Sequence, residues 1–187
     1  MYKEPRVIVA PTWEPIELAD AALQVRQDSS DDDDHLLSLI TEAREFVERH
    51  TGECLPVRTL ELSMDGFGCH RRITLPRFPL IEVQSVTYTA EDGTEYTLST
   101  DYYEVDTKST PGGIVLKRGY VWPSLTLTAV NGVVIQYTAG YDTPEEIPSG
   151  YIKAMKLLIT HSYRRADAEK PIPPAVFTYL SLENVHA

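Results

Sequence analysis

The spacing of apolar residues changes period twice along this chain, which excludes any fold built from one kind of secondary structure. Up to Gly52 they recur at steps of three and four, the helical period of about 3.6. From Leu55 they alternate with polar residues and β-branched and aromatic side chains take over; after Pro148 helical spacing returns. A strand-rich stretch bracketed by helical ones reads as α+β. We expect a helical bundle, two N-terminal helices plus a C-terminal helix, with an inserted small antiparallel β domain resembling a sandwich or open barrel. The division that follows is 1–55 for the N-terminal helical part, 56–147 for the β insertion, 148–170 for the C-terminal helix and 171–187 for a tail segment.

The clearest helix lies within Asp31–Gly52, DDDDHLLSLITEAREFVERHTG. Leu36, Leu39, Ile40, Ala43, Phe46 and Val47 fall on one stripe, so Glu42, Arg44, Glu45, Glu48 and Arg49 are expected to face away. Asp31, Asp32, Asp33 and Asp34 stand where carboxylates cap free N–H groups and meet the positive end of the helix dipole. Gly52 supplies a left-handed stop. The aspartates do not make a calcium loop. Counting from Asp31, Leu36 takes the place of the obligatory glycine and Glu42 stands twelfth.

Upstream, Pro15 to Val25 predicts a short helix with Ile16, Ala19 and Leu23 on its inner side. The β region predicts strands over 57–64, 72–75, 83–90, 94–98, 102–105, 114–117, 126–130 and 133–137, with Asp92-Gly93 and Asn131-Gly132 as type I′ hairpin turns. After Pro148, Ser149 caps a helix whose inner face holds Ile152, Met155, Leu158, Ile159, Ser162 and Tyr163. Lys153, Lys156, Arg164 and Arg165 lie around its other side. Pro171, Pro173 and Pro174 end it. Ala175 to Leu182, helical or extended, carries Phe177, Tyr179 and Leu180 and is too apolar for an idle tail: it is expected to pack on its own domain, with docking on a partner subunit as the alternative.

Composition narrows function by exclusion. The net charge of −11 argues against gripping nucleic acid through phosphates. Residues 1–50 carry 12 acidic and 5 basic side chains (net −7) and 151–187 carry 3 and 5 (net +2), a polarity suited to head-to-tail association. The N-terminus lacks the apolar run of a signal peptide and no stretch is long enough to span a membrane, so a soluble chain, intracellular when made, is expected. Cys54 and Cys69 form neither a metal-ligand pair nor a disulfide framework. No GxSxG, HExxH, GxxxxGK[ST] or GxGxxG is present, and no catalytic residue, metal or cofactor is expected. Eleven tyrosines motivate one alternative, a β-rich ligand- or receptor-binding module, although ordinary strand packing explains them better.

The order of several short motifs adds a further reading. PIELADAALQVRQDSSDDDDHLLSLITEAREFVERHTG, then ITLPRFPLIEVQSVTYTAEDGTEYTL, then VWP, VVIQYTAGY and IPSGYIKAMKLLITHSYRRAD, together resemble the head-to-tail connector (adaptor) proteins of tailed phages, prophages and gene-transfer particles, the type with an inserted β domain. That resemblance covers about Pro15 to Asp167. It implies a virion neck protein made in the bacterial cytoplasm, with no enzymatic role and no cofactor. Copies would form a ring, commonly of twelve, below the portal protein and above a stopper or tail-completion protein. DNA would pass through without sequence-specific binding, and no membrane would be involved. Lys153, Lys156, Arg164, Arg165, Phe177, Tyr179 and Leu180 then become candidates for the subunit or portal interface, and Asp31 to Asp34 candidates for the channel wall.

Overall fold

In the computed structural model, which describes residues 4–27, 29–164 and 171–183, the longest helix is Asp33–Thr51 (α2). Its apolar spacing buries Leu36, Leu39, Ile40, Ala43 and Val47, with Phe46 half-buried at the margin. Burial is worth ~1.5–3 kcal/mol for each large aliphatic side chain, so this row outweighs propensity in fixing the helix. Gly52 ends α2 at φ 82°, its N–H donating to the Glu48 carbonyl. Two expectations fail. Arg44 and Glu48 are buried instead of facing away, because they pair with each other inside the fold. No aspartate side chain caps α2; a single 3-10 turn, Ser30–Asp32, leads into it, and the Ser30 carbonyl takes the Asp33 N–H.

Helix α1 is Leu18–Val25, shorter than expected, and it presents Ala21 to the core with Leu18, Ala22 and Val25 beside it. Ala19 and Leu23 are exposed. The misjudged face has a simple cause: Ile16 is buried but lies before the helix begins, so it does not set the helical phase. Helix α3, Ser149–Tyr163, buries Tyr151, Ala154, Met155, Leu158 and Ile159; Ile152, Ser162 and Tyr163 stand at its margin. Ser149 is its first residue and not a cap. The Gly150 N–H is instead satisfied by the Glu183 carboxylate at 2.9 Å. Glu183 ends helix α4, Pro174–Glu183, which buries Val176 and Leu180. These helices, with Ile16, Leu55 and Ile147, share one core in a unit formed by Pro11–Pro56 and the residues from Tyr141 onward. None of the described helices is long and apolar enough to cross a membrane.

The other unit comprises the residues up to Ala10 and Val57–Gly140. Its strands are β1 (Arg6–Val9), β2 (Arg58–Met64), β3 (Arg72–Thr74), β4 (Leu80–Thr89), β5 (Glu95–Thr97), β6 (Tyr103–Asp106), β7 (Gly113–Leu116) and β8 (Val133–Ala139). They make a five-stranded sheet, β1-β2-β8-β4-β5, and a three-stranded one, β3-β7-β6, with every pairing antiparallel. β2 and β8 show the period-two signature: Leu60, Leu62 and Met64 are buried on one, Val133, Ile135, Tyr137 and Ala139 on the other, with Leu62 opposite Ile135. The two sheets approach closely at Gly112, where an added Cβ would lie 2.7 Å from that of Leu80.

Three expectations for the β region need correction. Residues 126–130 form no strand: Leu127 makes one isolated bridge to Ala90, and no apolar residue of the stretch is buried to hold it flat. At Asp92-Gly93 only the glycine has positive φ (85°), and its N–H donates to the Ala90 carbonyl. The hairpin is therefore a turn centred on Glu91 and Asp92 followed by a left-handed glycine, not type I′. At Asn131-Gly132 only Asn131 has positive φ (54°), and the Asp65 carboxylate holds its N–H at 3.0 Å.

Candidate interaction surfaces

A buried polar network makes the helical unit a defined scaffold for surface residues. Arg44 donates from Nε to Glu14 (2.7 Å) and from Nη1 to Glu48 (3.0 Å), while the other Glu48 oxygen accepts the Leu55 N–H at 2.9 Å. Burial opposes the charge on Arg44, but the hydrogen bond to Glu14 and the charges of Glu48, Glu14 and Glu45 prevail and raise its pKa. Nearby Glu53 is buried and accepts from the hydroxyls of Tyr151 (2.7 Å) and Tyr141 (2.8 Å). Burial, reinforced by the Glu53 carboxylate, pushes both phenols far above their ordinary range. The turn after α2 is thus tied by carboxylates to α2 and α3.

At the start of α2 the aspartates form one acidic point, with Asp31, Asp32 and Asp34 exposed and Asp33 half-buried. Tyr163 donates to Asp32 at 3.1 Å and stacks on His35 at 6.2 Å; desolvation and that hydrogen bond raise the Tyr163 pKa. Asp31 accepts from Ser29 and Asp33 from Gln27.

The expected basic residues separate along α3. Lys153 is exposed with Nζ 5.7 Å from the centre of the Tyr179 ring, whereas Lys156 points toward Asp20 at 3.9 Å. Arg164 is exposed where α3 ends, and Arg165 lies outside the described residues. On α4, Phe177 is 39% exposed and meets Phe46 (6.2 Å) and His50 (5.5 Å) edge-on. Tyr179 is half-buried. Leu180 is 1% exposed, so it serves the core of its own unit and is withdrawn as a surface candidate.

Two features were not anticipated. Phe46 and His50 join Phe177 in an aromatic patch. On the other flank of α2, Trp13, Leu18 and Leu37 line a groove of about 650 Å³ edged by Glu17, Asp20, Asp142 and Glu145. Its sequence signal, carboxylates between Trp13 and Asp20, is indistinguishable from that of a solvated helix face. In the β unit the tyrosines are largely occupied with one another: Tyr88 stacks on Tyr96 (5.4 Å), Tyr102 meets Tyr120 (4.9 Å), and Phe67 lies on Trp122 (5.0 Å). Tyr88 and Tyr96 are direct partners across β4 and β5, so strand packing accounts for that pair, while the other two contacts join loop residues.

No family model matches the chain, and no curated protein sequence matches it. Solved structures do. One chain comes from the neck of an empty gene transfer agent particle computed with C6 symmetry (TM-score 0.79), one from the virion of a native gene transfer agent particle (0.80), and one from the neck of a native particle computed with C12 symmetry (0.76). The chain has the fold of these gene transfer agent proteins. Each likeness holds at 20% identity over 96% of this chain and 94% of the other, so what is shared is the α+β architecture, across both units.

Proposed function

We propose that this chain is a structural subunit of the neck of a phage-like particle: an adaptor whose copies form a ring, commonly of twelve, below the portal. The ring extends the DNA channel and offers its far side to a stopper or tail-completion protein. The observation that carries this reading is the fold likeness, which spans nearly the whole of both chains and includes necks of C6 and C12 symmetry. The charge is in keeping with it. A wall carrying net negative charge repels phosphate and lets a duplex slide, and the cluster at Asp31 to Asp34, with Asp31, Asp32 and Asp34 exposed, is the natural candidate for that wall. The chain does mechanical rather than catalytic work in this account.

Affinity capture of the tagged chain from particle-producing cells, followed by mass spectrometry and electron microscopy, tests the proposal. A ring seated on a portal-sized oligomer is expected. Particles lacking the chain, with the captured protein bound instead to a host surface molecule, would refute it.

A further inference from the structure

The five-stranded sheet ends in two open edges. β1 is exposed along its whole length, with Val7, Ile8 and Val9 at 47%, 41% and 54%, and it holds no lysine or proline to discourage another strand. β5 is exposed at all three residues and pairs only with β4. The Ala90 N–H donates to the Thr94 carbonyl and the Leu98 N–H to the Val86 carbonyl. In the alternating antiparallel ladder, Tyr96 therefore bonds to β4, while the N–H and C=O of Glu95 and Thr97 point outward. Because every pairing in this order of five is antiparallel, β1 and β5 run in the same direction. Tyr96 lies opposite Tyr88, which lies opposite buried Val133, and Val7 lies opposite buried Leu60, so Tyr96 and Val7 share the core-side face. On strands of one direction, residues on one face aim their peptide groups to the same side. Those of Tyr96 aim toward β4, so those of Val7 aim away from β2.

We propose that the β5 edge of one copy pairs in parallel with the β1 edge of the next, extending one sheet from copy to copy. This deepens the ring reading and rests on it. Keeping the core-side face continuous sets Tyr96 beside Val7 and Glu95 beside Arg6. The Val7 N–H then donates to the Glu95 carbonyl, and the Val7 carbonyl accepts from the Thr97 N–H. Tyr96, 41% exposed, gains a β-branched neighbour across the joint. Charge agrees with this register. Residues 91–97 hold Glu91, Asp92 and Glu95 and no basic residue, and the Arg6 side chain stays 73% exposed while bonded to Glu61; Glu4, also near, is held by Arg77. The two edges are unlike, so the joint is heterologous and propagates head to tail.

Disulfide trapping tests the joint. In a Cys69→Ser background, Arg6→Cys and Glu95→Cys are combined, and necks isolated from particle-producing cells are oxidised and run on a non-reducing gel. Within one chain the two sites stand four strand spacings apart, roughly 19 Å. That exceeds the roughly 7 Å Cα separation a disulfide spans, so a bond between them joins two copies. A ladder of linked multimers is expected. Thr97→Pro added to the pair should cut the linked fraction about tenfold, because it removes an outward N–H and no bond to β4. Val7→Pro, on the facing edge, should do the same, and circular dichroism of either proline variant should match the parent. Necks that contain the chain but give no ladder would overturn this joint and leave the neck reading standing. A ladder unaffected by both prolines would overturn the backbone pairing, and linked dimers from Arg6→Cys alone would replace it with β1 against β1. Particles whose necks lack the chain would overturn the neck reading and this joint with it.

Discussion

Truncating Arg44 to alanine removes the cation bonded to both Glu14 and the buried Glu48 carboxylate. Breaking such a pair costs roughly 3 kcal/mol or more, whereas Arg6→Ala, which ends an ion pair whose arginine side chain is 73% exposed, should cost less than about 1 kcal/mol. Urea unfolding separates these: the Arg44 variant should lose by far the more, and equal losses would mean the network contributes little. Tyr151→Phe removes a donor to Glu53 and should destabilise by about 1–2 kcal/mol. In the β unit, Asp106 accepts from the Ser109 hydroxyl (2.6 Å) and from Arg72 (2.7 Å), and these bonds hold its pKa well below the usual carboxylate range. Between the folded and unfolded pKa values the unfolded chain binds more protons, so this contribution is complete above about pH 4 and lost as pH falls further. Asp106→Asn should flatten the acid limb of thermal stability against pH. An unchanged limb would assign acid sensitivity to other carboxylates.

At the scale of elements, α4 and α3 hold each other at one point. A Cβ on Gly150 would come within 2.5 Å of Glu183 Cγ, displacing the carboxylate that accepts the Gly150 N–H. In a free helix Gly→Ala gains up to about 1 kcal/mol. Here Gly150→Ala should instead destabilise and speed hydrogen exchange over residues 174–183; exchange as slow as in the parent would show that α4 is held by Val176 and Leu180 alone. The elements legible in the sequence were those whose signals lie within themselves. α2 repeats its apolar step over 19 residues and ends on Gly52, and β2 and β8 alternate along their whole length. What escaped depended on distant residues. Arg44 reads as a surface charge until Glu14, thirty positions away, is placed beside it. β1 is an unremarked lead until β2 offers it an edge, and Asn131 reads as half a type I′ turn until Asp65 binds its N–H. The interface candidates divided on the same ground, since burial removed Leu180 and left Lys153, Arg164 and Phe177 on the surface.

At the scale of the whole molecule, the central claim is that copies of this chain build a neck ring through which DNA slides. An interface bridged by Lys153, Lys156, Arg164 and Arg165 should weaken as salt rises, because exposed charges are screened over a Debye length of about 8–10 Å. Reversing all four should abolish that salt sensitivity along with much of the assembly. Sedimentation of the chain with portal across a salt series reads both, and identical assembly by parent and variant would remove these residues from the interface. The most direct measurement is electron microscopy of particles from cells in which this chain alone is deleted, compared with cells in which it is restored. The account predicts DNA-packaging heads that lack tails and lack one layer of density beneath the portal, with that layer and the tails regained on restoration. Complete particles with an intact neck in the deletion strain would contradict it.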